Sequence, residues 1–353
     1  MFLKNLHLKN FRNYQKLDFP FPSQITVLIG NNAQGKTNFL EAIYFLATTK
    51  STKADRDSEL IKEGEETLHV QVIIENDQKE ETTLEIAMQK NELSQKKRIK
   101  VNGIPRRLAD YTGNLAVVLF QPEDINLVTG SPSLRRYFID QTLSQVDREY
   151  KRTLSSYEQI ITRKNRILKL IRENLASVDQ LLYWTNQQII LAEIIHKKRF
   201  DFFHFLNQTE HKLGEFKFTY LANEISKERL LEYQGREIAS ASSLIGPQRD
   251  DFIFFLGEKD LSKYGSRGEQ RTAVVDLKLS EVAFIEQVLK SRPILLLDDI
   301  FSELDIIHRQ HVIDLSNLQQ TIIASVDWDK NLAQSLKNAQ VVRVENGEIS
   351  QEE

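Results

Sequence analysis

Gly30, Asn31, Asn32, Ala33, Gln34, Gly35, Lys36 and Thr37 form an unbroken G-x-x-x-x-G-K-[ST] segment, with Asn38 directly after it. Glycines at both ends let the backbone wrap closely round phosphate, and amides at the start of the next helix point at its negative charge. Lys36 is then placed to neutralise β- and γ-phosphates, and the Thr37 hydroxyl to ligate Mg²⁺. A second candidate is ILLLDD, residues 294–299. An apolar run ending in acid delivers carboxylates at the C-terminal edge of a buried parallel strand, where nucleotide sites lie in such sheets. Asp298 would hold Mg²⁺ through water, and Asp299 would orient or deprotonate an attacking water. Alone this pattern is common; its partnership with the glycine loop gives it weight. The third candidate is YGSRGEQRT, residues 264–272, with Ser266, Gly268 and Glu269 at a turn that opens a helical run. Such a turn is an anion site, and it is equally what an ordinary Ser266 helix cap produces.

These groups need elements to carry them. QITVLIG (24–30) reads as a short buried strand and NFLEAIYFL (38–46) as a helix, the context that the glycine loop requires. Thr67–Glu75 and residues 81–88 alternate like antiparallel strands about a polar turn, and Asn102-Gly103 signals a further hairpin. From residue 133 to 213 there is neither proline nor glycine, which points to helix. Leu154, Tyr157, Ile161, Leu168 and Ile171 form an amphipathic stripe there, and a second helical segment spans roughly 179–213. After residue 240 strands return at 293–299, 321–327 and 341–349. The expected organisation is a split α/β head, residues 1–132 and 240–353, with a helical lobe at 133–239. Only 13 of 353 residues are glycine, so their clustering in the motifs is informative.

The order glycine loop, helical insertion, serine-glycine turn, helix, acidic strand resembles the ABC-type P-loop ATPase heads: mixed sheets with flanking helices and, here, an inserted α-helical lobe. Within them the chain is similar to the RecF family over nearly its whole length. The matching blocks are NFRNY (10–14), GNNAQGKTNFLEAIYFL (30–46), PEDINLVTGSPSLRRYFID (122–140), GPQRDD (246–251), SRGEQRT (266–272) and LLLDDIFSELD (295–305). The resemblance implies that ATP joins two copies, with Ser266 and Gly268 of one capping the nucleotide of the other. It also implies action at single-strand–duplex junctions of gapped DNA in recombinational repair, with RecO, RecR and RecA as partners. Gln248 stands where the family commonly has histidine, and Glu269 where glutamine is frequent. Gln121 and Ser325 are the candidates for sensing the γ-phosphate. Asp299, where many relatives have glutamate, is one methylene shorter and reaches the water less well, so slow hydrolysis is expected.

The net charge of −3 hides segregation. Residues 133–213 carry 14 Lys/Arg against 9 Asp/Glu. The excess includes Arg148, Lys151, Arg152, Arg163, Lys164 and Arg166. A hairpin patch adds Lys96, Lys97, Arg98, Lys100, Arg106 and Arg107. A basic cluster is more often a solvated face; beside a RecF-like head it suits sequence-independent phosphate contacts on single-stranded and duplex DNA. There is no cysteine, which excludes thiolate zinc sites, disulfides and cysteine nucleophiles. No apolar run has transmembrane length and the N-terminus lacks a signal-peptide core, so a cytoplasmic protein with no membrane partner is expected. His204, His211, His308 and His311 read as packing or surface residues. The rival readings are a nucleotide-binding subunit of a transporter and a scaffold that binds nucleotide without hydrolysing it.

Overall fold

The computed structural model describes residues 1–90, 96–302, 304–326, 328 and 330–351. In chain order the strands are β1 (Phe2–Phe11), β2 (Tyr14–Pro20), β3 (Ile25–Ile29), β4 (Thr67–Glu75), β5 (Glu81–Gln89), β6 (Lys96–Val101), β7 (Ile104–Pro105) and β8 (Val117–Phe120). They continue as β9 (Phe216–Leu221), β10 (Asp251–Leu256), β11 (Lys259–Asp260), β12 (Ile294–Asp298), β13 (Thr321–Ser325), β14 (Ala339–Glu345) and β15 (Glu348–Gln351). The chain divides into two compact units, residues 1–124 with 281–353, and residues 125–280. Residues 240–280, assigned from sequence to the C-terminal head, therefore pack with the inserted lobe. The cause is β10, which pairs along its whole length with β9.

The first unit holds two six-stranded sheets. One has the order β15-β14-β3-β13-β12-β8 and is parallel except for β15 at its edge. Its strands β3, β12, β13 and β8 are buried at every position, as apolar runs enclosed on both faces must be. The other is antiparallel, β2-β1-β4-β5-β6-β7, and its strands alternate. Leu68, Val70, Val72, Leu84 and Ile86 face a core shared with Phe39, Ile43 and Phe45 of the helix Lys36–Thr48. Between β6 and β7, Asn102 and Gly103 both take positive φ, as a two-residue hairpin turn of opposite hand requires. Residues 341–349, read as one strand, fold instead as the β14–β15 hairpin. Asn346 (φ 50°) and Gly347 (φ 79°) are its turn. The strand read at 321–327 ends at Ser325, and Asp327 lies outside the described residues.

The second unit contains the helices Pro132–Val146, Arg148–Arg172, Leu181–Gln208 and Lys227–Ser240. It also holds a small sheet of order β11-β10-β9 that the sequence reading did not anticipate. The apolar stripe on Arg148–Arg172 is present, with Leu154, Tyr157, Leu168 and Ile171 buried. Lys164 sits in that stripe, 1% exposed, bonded to Glu237 at 2.8 Å and donating to Gln188 Oε1 at 2.9 Å. Burial pushes its ammonium below the ordinary lysine value, with Glu237 pulling the other way. Lys151 is buried too. Neither belongs to the exposed basic face expected from sequence, because both fall on the helix's inward side. Lys164→Ala would leave Glu237 charged and unpaired in the interior, so urea unfolding should show a loss of about 3–5 kcal/mol. The paired change Lys164→Met with Glu237→Leu should recover most of it.

Candidate active site

Parallel pairing fixes where the chemistry-bearing residues emerge. Asp298 is in register with Ala324 on β13, and Ala324 with Leu28 on β3; Leu297 is in register with Phe120 on β8. One residue further along, Ser325 is in register with Ile29, directly before Gly30, and Asp299 and Gln121 follow the C-terminal ends of β12 and β8. The sequence motifs from residues 30, 121, 298 and 325 are thereby brought to one edge.

The glycine loop runs from β3 into the helix Lys36–Thr48. Gly35 is the helix N-cap at φ 122°, no side chain caps that end, and its first turn carries no acid. The terminal amides and their share of the helix dipole are left for an anion. A Cβ on Gly35 would come 2.6 Å from Asn13 Nδ2 and displace that side chain, and at φ 122° a larger residue is strained. Lys36 Nζ donates to Gly30 O at 2.7 Å and Asn31 O at 3.0 Å, folding its charge over the loop. Burial lowers its pKa, while Asp299 and Asp298 raise it. Thr37 Oγ1 donates to Asp298 Oδ1 at 2.8 Å. Burial raises the pKa of Asp298 and the Thr37 bond lowers it. A hydroxyl and carboxylates are the hard oxygen donors that suit Mg²⁺, so Thr37 and Asp298 fit that ion. Asp299 has φ 49°, and its Oδ1 accepts from the Val326 amide at 3.1 Å. Gln121 is held by its backbone N–H, which donates to Asp124 Oδ2 at 3.0 Å.

Several contributors escaped the sequence reading. Lys53, on the loop after the helix, lies 3.7 Å from Asp298 Oδ2 and pulls that carboxyl's pKa down. The β1–β2 turn clasps the loop: Asn13 Nδ2 donates to Gln34 O at 2.8 Å and Tyr14 OH to Gly35 O at 3.0 Å. Asn38 donates to Asn13 Oδ1 at 2.8 Å, and Arg12 forms a two-pronged pair with Glu41. From the other side, the Gly347 amide donates to Gln34 O and the Asn346 amide to Gln34 Oε1. No motif rule covers these residues; NFRNY carried only a resemblance.

In the second unit, Ser266 and Glu269 form a reciprocal cap at the start of the helix Arg267–Leu289. The Ser266 amide donates to Glu269 Oε2 at 2.7 Å, and the Glu269 amide to Ser266 Oγ at 3.3 Å. Ser266, Arg267 and Gly268 are exposed. Lys259 and the Ser266 bonds hold the Glu269 carboxyl down at about 2. The GPQRDD block is structural in its detail. Asp250 is fully buried and accepts from Arg199 Nη1 at 2.6 Å and the Asn223 amide at 2.7 Å, with Tyr220 and His196 also against it. Gln248 bonds Tyr157 and donates to Ile245 O. His211 and His308 pair with the carboxylates of Asp276 and Asp305, partners that the sequence did not reveal. Among the expected DNA contacts, Arg98, Arg106, Arg107, Arg148, Arg152, Arg163 and Arg166 are exposed. Lys97 pairs with Asp57 and Lys100 with Glu85.

The model of the RecF/RecN/SMC N terminal domain matches residues 2–350. The DNA replication and repair protein RecF of Agathobacter rectalis is 34% identical over 361 residues, covering 99% of both chains. That of Bacillus cereus is 36% identical over 373 residues, covering 99% of this chain and 98% of its own. A solved structure of the recombination mediator RecF with ATP has a TM-score of 0.91 at 27% identity, covering 100% of this chain and 98% of that one. An Smc head bound to part of ScpA, from Pyrococcus furiosus, has a TM-score of 0.54 at 18% identity over 99% and 95% of the chains, a likeness of fold.

Two outcomes test this geometry. Asn13→Ala removes the bonds to Gln34 O and from Asn38, and should weaken nucleotide affinity about tenfold, measured by calorimetry. A carboxylate with a depressed pKa stabilises above its ordinary value and loses that contribution as pH falls through the lowered one. The cap at residues 266–270 should therefore fray between pH 4.5 and about 2, read by amide exchange. Lys259→Met should move that transition upward.

Proposed function

The chain belongs to the RecF family of the RecF/RecN/SMC N-terminal domain proteins, and we propose that it is an ATP-dependent DNA-binding protein of recombinational repair and replication. The observation that carries this reading is the meeting of Lys36, Thr37 and Asp298 at one sheet edge, joined by the Thr37–Asp298 hydrogen bond. A solved relative holding ATP supports the choice of nucleotide.

In this reading the amides of residues 30–38 and the Lys36 ammonium bind the triphosphate. Thr37 and Asp298 would hold Mg²⁺, which when bound would supply neutralisation of phosphate charge. Asp299 orients the attacking water, and Gln121 and Ser325 flank the γ-phosphate from neighbouring strands. The short Asp299 side chain, already accepting from Val326, makes hydrolysis to ADP and phosphate slow. ATP then acts mainly as a clamp and its hydrolysis as a timer.

Two copies close on ATP, Ser266 and Gly268 of one capping the nucleotide of the other. Ile306 and Ile307, which begin the helix Ile306–Ser316, are 85% and 68% exposed. Two such side chains in a row are a surface that a second copy would cover. DNA lies across the pair, held by the exposed arginines of the helical lobe and the β6–β7 hairpin, and hydrolysis releases it. Junctions of single-stranded and duplex DNA at gaps are its targets, in the cytoplasm, where RecO/RecR-like mediators and a RecA-like recombinase act with it.

Turnover should be below about 1 s⁻¹, the low end for enzymes, and rise with DNA. Lys36→Met should abolish it. Sedimentation should show dimers with ATP, and Ile306→Asp with Ile307→Asp should leave monomers. A wild-type chain that stays monomeric with ATP at every concentration would sink the clamp.

A further inference from the structure

Strand register places Lys16, Lys9, His69 and Arg98 in one line across the outer face of the antiparallel sheet. Lys9 on β1 stands opposite Lys16 on β2 and His69 on β4; His69 stands opposite Ala87 on β5, and Ala87 opposite Arg98 on β6. The line Lys16, Lys9, His69, Ala87, Arg98 spans about 19 Å at about 4.8 Å per strand. Lys9, Lys16 and Arg98 are exposed, and among the described residues none has a hydrogen bond or ion pair from its side chain. Two residues along the strands the arrangement differs, because Glu85 pairs with both His69 and Lys100. Like charges placed directly opposite weaken a sheet, so the facing pair Lys9 and Lys16 works against stability unless an anion lies over it. A depression of about 280 Å³ runs along it, lined by Lys9, Thr67, His69, Gln89 and Arg98.

The same strands reach the nucleotide loop. Lys9 and Lys16 lie on the hairpin whose turn carries Asn13 and Tyr14, the residues bonded to Gln34 O and Gly35 O. The opposite face of these strands packs on the helix Lys36–Thr48.

We propose that this outer face binds the phosphodiester backbone of a nucleic acid strand, and that the β1–β2 hairpin carries its occupancy to the nucleotide loop. The proposal rests on the DNA-binding reading above and names a surface and a coupling which that reading lacks. Cations without a base-reading partner give contacts independent of sequence.

The test uses the full chain with Lys9→Gln and Lys16→Gln together. This change removes a facing like-charge pair, so its melting temperature should not fall below that of the wild type. Binding of a fluorescent duplex with a single-stranded overhang is followed by anisotropy against salt, with ATP. The slope of log K on log salt should be shallower by about 2, since each phosphate contact contributes about 0.9. The pair Lys217→Gln with Lys227→Gln removes equal charge from exposed positions elsewhere and should keep the wild-type slope. The ratio of ATP turnover with saturating DNA to that without should fall towards one in the first pair only. Equal loss of slope in both pairs, or a wild-type slope in the first, overturns the surface while leaving DNA binding intact. A shallower slope with an unchanged turnover ratio overturns the coupling. A wild-type chain that binds no DNA at 50 mM salt overturns the inference and the DNA-binding reading together.

Discussion

The parallel register of β3, β13, β12 and β8 is the constraint on which the rest of the molecule depends. Thr37 and Asp298 are separated by 261 residues, and their 2.8 Å hydrogen bond exists only because three strands in step set their ends level. A slip of one residue in β12 would turn Asp298 to the other face and bring Leu297 to the loop. The long apolar runs of these strands secure that register, since each residue is buried and no neighbouring register satisfies the same packing.

Around this edge the protein rigidifies its loop from both sides. The β1–β2 turn and the β14–β15 turn both bond Gln34, one through side chains and the other through backbone amides. The first half of the chain therefore holds the loop by chemistry written in NFRNY, and the last residues hold it by a hairpin of ordinary composition. In the second unit a buried network takes the place of a purely apolar centre. Arg199 joins Asp250 to Asp140 and Tyr150, and fixes the block that precedes β10.

Much of this was legible in the sequence, for identifiable reasons. The glycine loop, the acidic strand and the antiparallel β4–β5 pair depend on local rules of spacing and alternation, and residues 67–75 and 81–89 pair as the pattern requires. Charge was read less well. Lys164 and Arg163 are neighbours in a basic run, yet one is buried against Glu237 and the other is exposed over Trp184. Composition counts charges without knowing which face of the helix they occupy. The clasp by Asn13 and Tyr14, and the approach of Lys53 to Asp298, were invisible for a different reason. They depend on where a turn or loop returns in space, which no period in the sequence encodes.

The division of the first unit into two distant stretches of chain bears on how the molecule is made. Residues 125–280 form a continuous unit that can collapse as soon as it is synthesised, whereas the strand beside the glycine loop waits for residues 321–325. At about 5–20 residues per second, the roughly 260 residues between Thr37 and Asp298 take about 13–50 s to appear. For that time both edges of β3 are unpaired, since β13 and β14 come later still, and the loop has no acidic partner. The nucleotide pocket is thus the last part of the protein to come into existence, and a nascent chain interrupted before Asp298 would have the phosphate loop without the carboxylate that completes it.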